Sequence, residues 1–171
     1  MSPLRAFIIA TCFRSMPTVH LRAWYLRKLG AKVGKNARIH SVDFMNTDTG
    51  FDHLTIGSNC YLGPGVLIDL AGEVRVMDGA VISARTILLS HDDPGASHNS
   101  PLSKHFPPSK RTTVIGRNCW LGAGSIVLAG TEIGEQCVLA AGSVAKGTLR
   151  SFSLYAGHPA KHKRQIPSSI P

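Results

Sequence analysis

A spacing of six governs the second half of this 171-residue chain. In the stretch IGRNCWLGAGSIVLAGTEIGEQCVLAAGSVA, the residues Ile115, Leu121, Val127, Ile133, Leu139 and Ala145 follow one another at six-residue intervals. Neither a 3.6-residue helix nor a simple alternating strand repeats at six, whereas a parallel β-helix built from short repeats does. Small residues keep the same beat four positions later, at Cys119, Ser125, Thr131, Cys137 and Ser143. Positions i and i+4 of an extended segment face the same way, so both point into a narrow prism, the aliphatic filling a face and the small residue a corner. Gly116, Gly122 and Gly134 directly follow aliphatics, where a tight corner favours a residue without a Cβ.

The same pattern recurs upstream with interruptions. Ile56, Leu62 and Ile68 form one run, Val76, Ile82 and Leu88 a second one shifted by two residues, and Val33 with Ile39 an opening coil. With three hexads per coil, the chain holds about four full coils and a ragged first one, enough to bury a continuous core. The expected organisation is all-β: a basic helical segment over residues 1–30, a β-helix over 31–146 with an extended loop inserted at about 90–113, and a tail over 147–171. Hydrophobic content of 43%, charged content of 17% and seventeen glycines suit one corner-rich domain.

Ser15-Met16-Pro17, then Val19, Ala23 and Leu26, then Gly30, reads as a helix with a capping serine, an early proline and a glycine stop. The apolar segment Ala6–Phe13 is short and broken by Arg14, so it reads as retained rather than as a cleaved signal. The first forty residues carry Arg5, Arg14, Arg22, Arg27, Lys28, Lys32, Lys35 and Arg38, and no acid. That pattern fits a solvated basic helix packed over the prism's end, or one that docks on an anionic membrane surface. A net charge of +9 also permits nucleic-acid binding, but with 6% aromatics and no recognition motif the chain gives no sign of it. An acidic small ligand is the better expectation. Cys60, Cys119 and Cys137 all fall at the inward small position and form no CxxC pair, so they read as packing in a reducing cytosol.

The hexads break once at length, between Leu88 and Ile115. A loop of that size inside a compact domain is uncommon unless it has a function or is disordered. It opens with Ser90-His91-Asp92-Asp93 directly after an inward leucine, which holds His91 at the edge of a rigid scaffold.

The hexads, the LSHDD element, the NCWLGAGSIVLAGTEIG block and the closing YAGHPAK together resemble the left-handed β-helix acetyltransferases of the maltose, nodulation and colanic-acid acetyltransferase type. The resemblance runs from about Ser15 to Arg164. It implies a left-handed coil, a homotrimer with active sites between neighbouring prisms, acetyl-coenzyme A as donor, no metal, and a hydroxyl of a saccharide, polysaccharide or lipid-linked glycan precursor as acceptor. It implies a cytoplasmic protein, and the basic start adds the option of a peripheral place at the inner face of the membrane. His91 matches the family's general base. An imidazole, with an ordinary pKa of about 6.5, can take the proton from an otherwise poor nucleophile and contribute on the order of 10²–10⁴-fold. Asp92 or Asp93 could orient the ring or cap the turn.

Trp120 matches the family tryptophan beside the acyl-donor and acceptor pocket, and Asp69, in its LID context, is the candidate hydrogen-bond partner of a sugar hydroxyl. Ala123, Ala141 and Gly142 match positions lining the pantetheine groove. Ala156, Gly157 and Pro159 match the closing element near the cofactor, and Lys161 and Arg164 the basic tail that reaches its phosphates. The chain departs from the family at His158, where asparagine is usual, and at Lys146-Gly147, where a Thr-Lys pair is common, so Lys146 is the cofactor contact those positions leave open. An N-acyltransferase acting on an amino sugar, a metal-dependent enzyme on the same scaffold and a non-catalytic β-helix are the alternatives.

Overall fold

The structure, a computed structural model, describes residues 9 and 11–168; Arg5, residues 6–8 and 10 of the apolar start and the last three residues lie outside the described residues. Short parallel strands stack into the three faces of a prism. On the first face the inward residues Val33, Ile56, Val76, Ile115, Ile133 and Leu149 lie in register. On the second they are Ile39, Leu62, Ile82, Leu121, Leu139 and Tyr155, and on the third Phe44, Ile68, Leu88, Val127 and Ala145. The coil is thus a parallel β-helix of hexapeptide repeats. Its rows run on past residue 146, through Thr148–Leu149 and Ser153–Ala156, and end in an antiparallel strand, Lys161–Gln165.

Burial explains the repeat. Leu54, Leu62, Leu121 and Leu139 are fully buried, and each such side chain removed from water contributes about 1.5–3 kcal/mol. The small inward residues do more than fill corners. Cys60, Cys119 and Cys137 point their thiols at the carbonyls of Met77, Gly134 and Arg150, at 3.1, 2.9 and 2.8 Å, and Thr131 reaches the Ala145 carbonyl at 3.3 Å. Each is a donor that satisfies a carbonyl turning the next corner. Burial pushes the Cys60 thiol up, and the neighbouring Cys137 side chain together with burial pushes the Cys119 thiol up, so both stay protonated as packing requires.

The glycines after the aliphatics have a different cause from the one the spacing suggests. Neither Gly116 nor Gly122 has a positive φ; instead, a Cβ on Gly122 would stand 2.4 Å from the Ala141 nitrogen of the next coil, and one on Gly116 would stand 2.6 Å from Gly134. Close approach between coils, not dihedral freedom, excludes a side chain there. Gly122→Ala is accordingly expected to lower stability by about 2 kcal/mol through overpacking against backbone, read as a fall in melting temperature.

Insertions gather at a single corner. From the third face to the first, the regular step from Val127 to Ile133 is six residues, but Phe44 to Ile56 is twelve, Ile68 to Val76 is eight and Leu88 to Ile115 is twenty-seven. The two-residue phase shift in the sequence is the second of these. The longest is not structureless: His91–Asp92 pairs antiparallel with Ser109–Lys110, and 3-10 turns occupy Ala96–His98 and Pro101–Lys104.

At the N-terminal end a helix, Val19–Lys28, buries Ala23 and Leu26 over the opening strands. Its cap is Thr18, whose hydroxyl accepts from the Leu21 N–H at 3.2 Å, and not Ser15. Residues 11–15 are themselves helical and Ser15 closes that turn by donating to the Cys12 carbonyl, because Pro17 breaks the chain after it rather than before it. Gly30 ends the helix as its sequence position predicts, with φ +108° and a bond from the Ala31 N–H back to the Leu26 carbonyl. Several of the basic residues have structural partners: Arg14 pairs with Asp43, Arg22 donates to the Phe13 carbonyl, and Arg27 to the carbonyls of Val33 and Gly34. No helix among the described residues is long and apolar enough to cross a membrane.

Candidate active site

The three insertions stack on one another, and together they build a buried polar cluster around Asp69. Asp69 ends a third-face strand, Leu67–Asp69, at the two-residue bulge; Asn46 directly follows the strand Asp43–Met45 in the coil below, and Ser90 and His91 follow Leu88 in the coil above. The Asp69 side chain is completely inaccessible. Its Oδ1 accepts from Asn46 Nδ2 at 2.7 Å and from the Ala71 N–H at 3.0 Å. Its Oδ2 accepts from the Ser90 N–H at 2.9 Å, lies 2.9 Å from Ser90 Oγ, and stands 2.5 Å from His91 Nδ1. Ser90 Oγ also lies 2.8 Å from the Asp69 carbonyl and accepts from the Gly72 N–H at 2.8 Å.

Burial opposes ionisation of Asp69, but the hydrogen bonds from His91, Asn46, Ala71 and Ser90 outweigh it and hold the carboxyl well below its ordinary value. An ionised carboxylate only accepts, so the ring nitrogen facing it carries the proton. In the neutral ring that fixes the tautomer: Nδ1–H is bound to Asp69, and Nε2 carries the lone pair. The His91 side chain, 28% exposed, lines an open cleft of about 800 Å³ whose other wall includes Pro94, His105, Phe106 and Pro107.

The residues singled out from sequence fall into two groups. Asp69, expected to meet a sugar hydroxyl, is sealed beneath His91 with both oxygens occupied and cannot present itself to a sugar. Of Asp92 and Asp93, which could orient the ring or cap the turn, neither hydrogen-bonds His91, and Asp93 takes the capping role. Asp92 pairs with Arg111, while Asp93 Oδ1 accepts the N–H groups of Gly95 and Ala96 at 2.8 Å, contacts that pull its carboxyl below the ordinary range. The buried contacts of Asp69 are not legible in its own stretch of sequence because its partners include residues 46 and 90. The signal available was the two-residue slip in the hexads immediately after it.

The second group lies at another corner, between the second and third faces. Ala123 sits there beside Gly124, the Gly142 N–H donates to the Ala123 carbonyl at 2.9 Å, and Ala141 packs against Gly122. The closing turn stacks on the same corner: the Gly157 N–H donates to Ser143 Oγ at 3.0 Å, the Ala160 N–H to the Val144 carbonyl at 2.8 Å, and His158 meets the Gly142 carbonyl. Ala156 and Pro159 flank that turn, and Lys161 and Arg164 stand exposed on the final strand. Lys146 does not join them, because it follows Ala145 and turns the opposite corner. Trp120 faces outward on the second face, 53% exposed, with Nε1 donating to Ser83 Oγ at 3.1 Å. The His91 cluster and the alanine-glycine corner therefore occupy different edges of one prism.

Comparison with known proteins agrees with this architecture. The bacterial transferase hexapeptide family (six repeats) matches residues 112–147. WcaF, a candidate colanic acid biosynthesis acetyltransferase of Escherichia coli (strain K12), is 32% identical over 154 residues, which cover 88% of this chain and 79% of that protein. The chain belongs to the hexapeptide-repeat acetyltransferases. WbbJ of the same organism, a candidate lipopolysaccharide biosynthesis O-acetyl transferase, is 36% identical to this hexapeptide-repeat acetyltransferase over 95 residues, 52% of this chain and 48% of that one. A galactoside acetyltransferase solved in complex with coenzyme A superposes with a TM-score of 0.80 at 26% identity, over 96% of this chain and 80% of that one.

Proposed function

We propose that this acetyltransferase moves an acetyl group from acetyl-coenzyme A to a sugar hydroxyl in the assembly of a surface or exported polysaccharide, with His91 as general base. The carrying observation is the 2.5 Å contact between His91 Nδ1 and the buried Asp69 carboxylate, which leaves Nε2 free at the cleft. Nε2 takes the proton as the hydroxyl oxygen bonds to the acetyl carbon, and returns it to the sulfur as the carbon–sulfur bond breaks. Asp69 is the positioning residue: it holds the ring's tautomer and stabilises the imidazolium formed between those two transfers. Bound acetyl-coenzyme A supplies the activated acetyl group as a thioester.

The second corner fits such a donor. A Cβ on Gly124 or Gly142 would meet nothing within 4 Å, so the edge is open and flat enough for an extended pantetheine arm, and Lys161 and Arg164 supply cations for phosphates beside it. The names of WcaF and WbbJ support a polysaccharide pathway, and the coenzyme A complex of the galactoside acetyltransferase supports the donor.

A homotrimer unites the two corners. Beyond Arg38 and Asp43 of the opening coil, outward residues on the second face are Tyr61, Val81, Trp120, Val138 and Leu154, and on the third Leu67, Ile87, Ile126 and Val144, whereas the first face shows Lys32, Thr55, Arg75, Val114, Glu132 and Thr148. Two apolar faces and one polar face suit a prism that meets a neighbour on each of two sides. A cytoplasmic place, where the donor is made, follows from the same reading. Exposed Leu21 and Trp24 beside Lys28 support contact with the inner face of the membrane.

Calorimetric titration with coenzyme A tests the donor assignment. Saturable binding near one site per chain is expected, and an absence of binding up to millimolar ligand would remove the proposal.

A further inference from the structure

At the corner between the second and third faces, four coils place one residue each in the left-handed region: Gly65 (φ +69°), Arg85 (+59°), Gly124 (+65°) and Gly142 (+66°). A side chain is disfavoured there, and the residues that tolerate it best are asparagine, aspartate and histidine. One coil nevertheless keeps an arginine where the others keep glycine. Its stem crosses the neighbouring coil, with Cγ 3.4 Å from where a Cβ of Gly65 would stand. The residue lines a concavity of about 690 Å³ with Pro64, Gly65, Ala84, Ala123 and Gly124, none of them acidic. Arg14, Arg75 and Arg111 each hold a carboxylate; Arg85 has no ion pair and its guanidinium no hydrogen bond among the described residues.

We infer that Arg85 binds the anionic group of an acidic acceptor, a sugar bearing a carboxylate or a phosphate. This inference rests on the acyltransferase reading above. Coils lie about 4.8 Å apart, so Arg85 stands about 10 Å from Gly142, on the side away from the closing turn. Lys161, Lys163 and Arg164 are all at the closing end. A donor with its phosphates among those cations lays its pantetheine arm past Gly142 and Ala123 and brings its thioester up towards Arg85. The next site along the groove belongs to the acceptor. A guanidinium grips a carboxylate or phosphate with two parallel N–H donors, which selects for charge as well as geometry.

The test uses the full-length protein with saturating coenzyme A, titrated with methyl β-glucuronide, glucose 1-phosphate and methyl β-glucoside. The wild type is expected to bind at least one of the two anionic sugars about tenfold or more tighter than the neutral glucoside. Arg85→Gly and Arg85→Gln are expected to reduce that preference to within about twofold, with coenzyme A affinity unchanged. Arg85→Gly should also melt no lower than the wild type, since glycine suits φ +59°. A wild type with no preference for the charged sugars would overturn the inference. So would variants that keep the preference, or that lose about tenfold in coenzyme A affinity, which would assign Arg85 to the donor's phosphates. Failure of the wild type to bind coenzyme A at all would sink the acyltransferase reading itself, and this inference with it.

Discussion

His91→Ala lowers turnover by about 10²- to 10⁴-fold and leaves coenzyme A affinity within about twofold of the wild type. The split follows from position: His91 lines the cleft beside Phe106 and Pro107, whereas Ala123, Ala141 and Gly142 lie along a different edge of the prism. Removing the imidazole removes the group that accepts the hydroxyl proton and touches nothing that the donor's pantetheine arm would rest on. Steady-state transfer assays paired with coenzyme A titrations read both quantities. A variant with wild-type turnover would take His91 out of the reaction.

Asp69→Asn has a comparable effect on turnover, about 10²-fold or more, although Asp69 touches no substrate. The carboxylate accepts on both oxygens, from Asn46 and Ala71 on one side and from Ser90 and His91 on the other. An amide must turn its NH2 towards one pair of donors. Facing His91, it can donate only if the ring's proton moves to Nε2, which removes the lone pair from the cleft. The expected signature is a lower kcat with KM for acetyl-coenzyme A unchanged, together with a switch of the His91 ring from the Nδ1–H to the Nε2–H form by nitrogen NMR. A purely structural role for Asp69 would leave the tautomer alone. Stability falls as well, by roughly 3 kcal/mol or about 6–12 °C, because the variant leaves buried donors facing each other. The loss depends on pH with a definite sign. Since the carboxyl is held below its ordinary value in the folded state, its stabilisation is complete above pH about 4 and is lost as pH falls through the lower folded value. The gap between wild type and Asp69→Asn therefore narrows on acidification below pH about 4.

Much of the prism can be read from residue order, because an inward position is a burial requirement that repeats wherever the coil repeats. Ile115 through Ala145 carry that requirement openly, and so do Cys119 and Cys137. The break after Leu88 is equally visible, which is why His91 stands out. What stays hidden depends on contacts between coils. Asp69 looks like an edge carboxylate in an apolar run until Ser90 and Asn46, twenty-one and twenty-three residues away, are seen to close over it. Those separations reflect insertions of unequal length, so no fixed spacing encodes them. Thr18 and Ser15 show the same limit locally: two hydroxyls flank Pro17, and only the path of the backbone decides which one begins the helix. Glycine after an aliphatic was legible as a requirement but not as a cause, since the atoms that exclude a side chain at Gly122 belong to Ala141 in the next coil.

Two edges of this prism are bound to a fixed length like the spine of a book, with successive backbones so close that Gly116 and Gly122 can hold nothing larger than hydrogen. The remaining edge opens like the pages, and all the chain's extra length has been bound in there. A lineage built on this scaffold can rewrite that margin, changing what lies across from His91, without resetting a single line of the text that keeps the volume together.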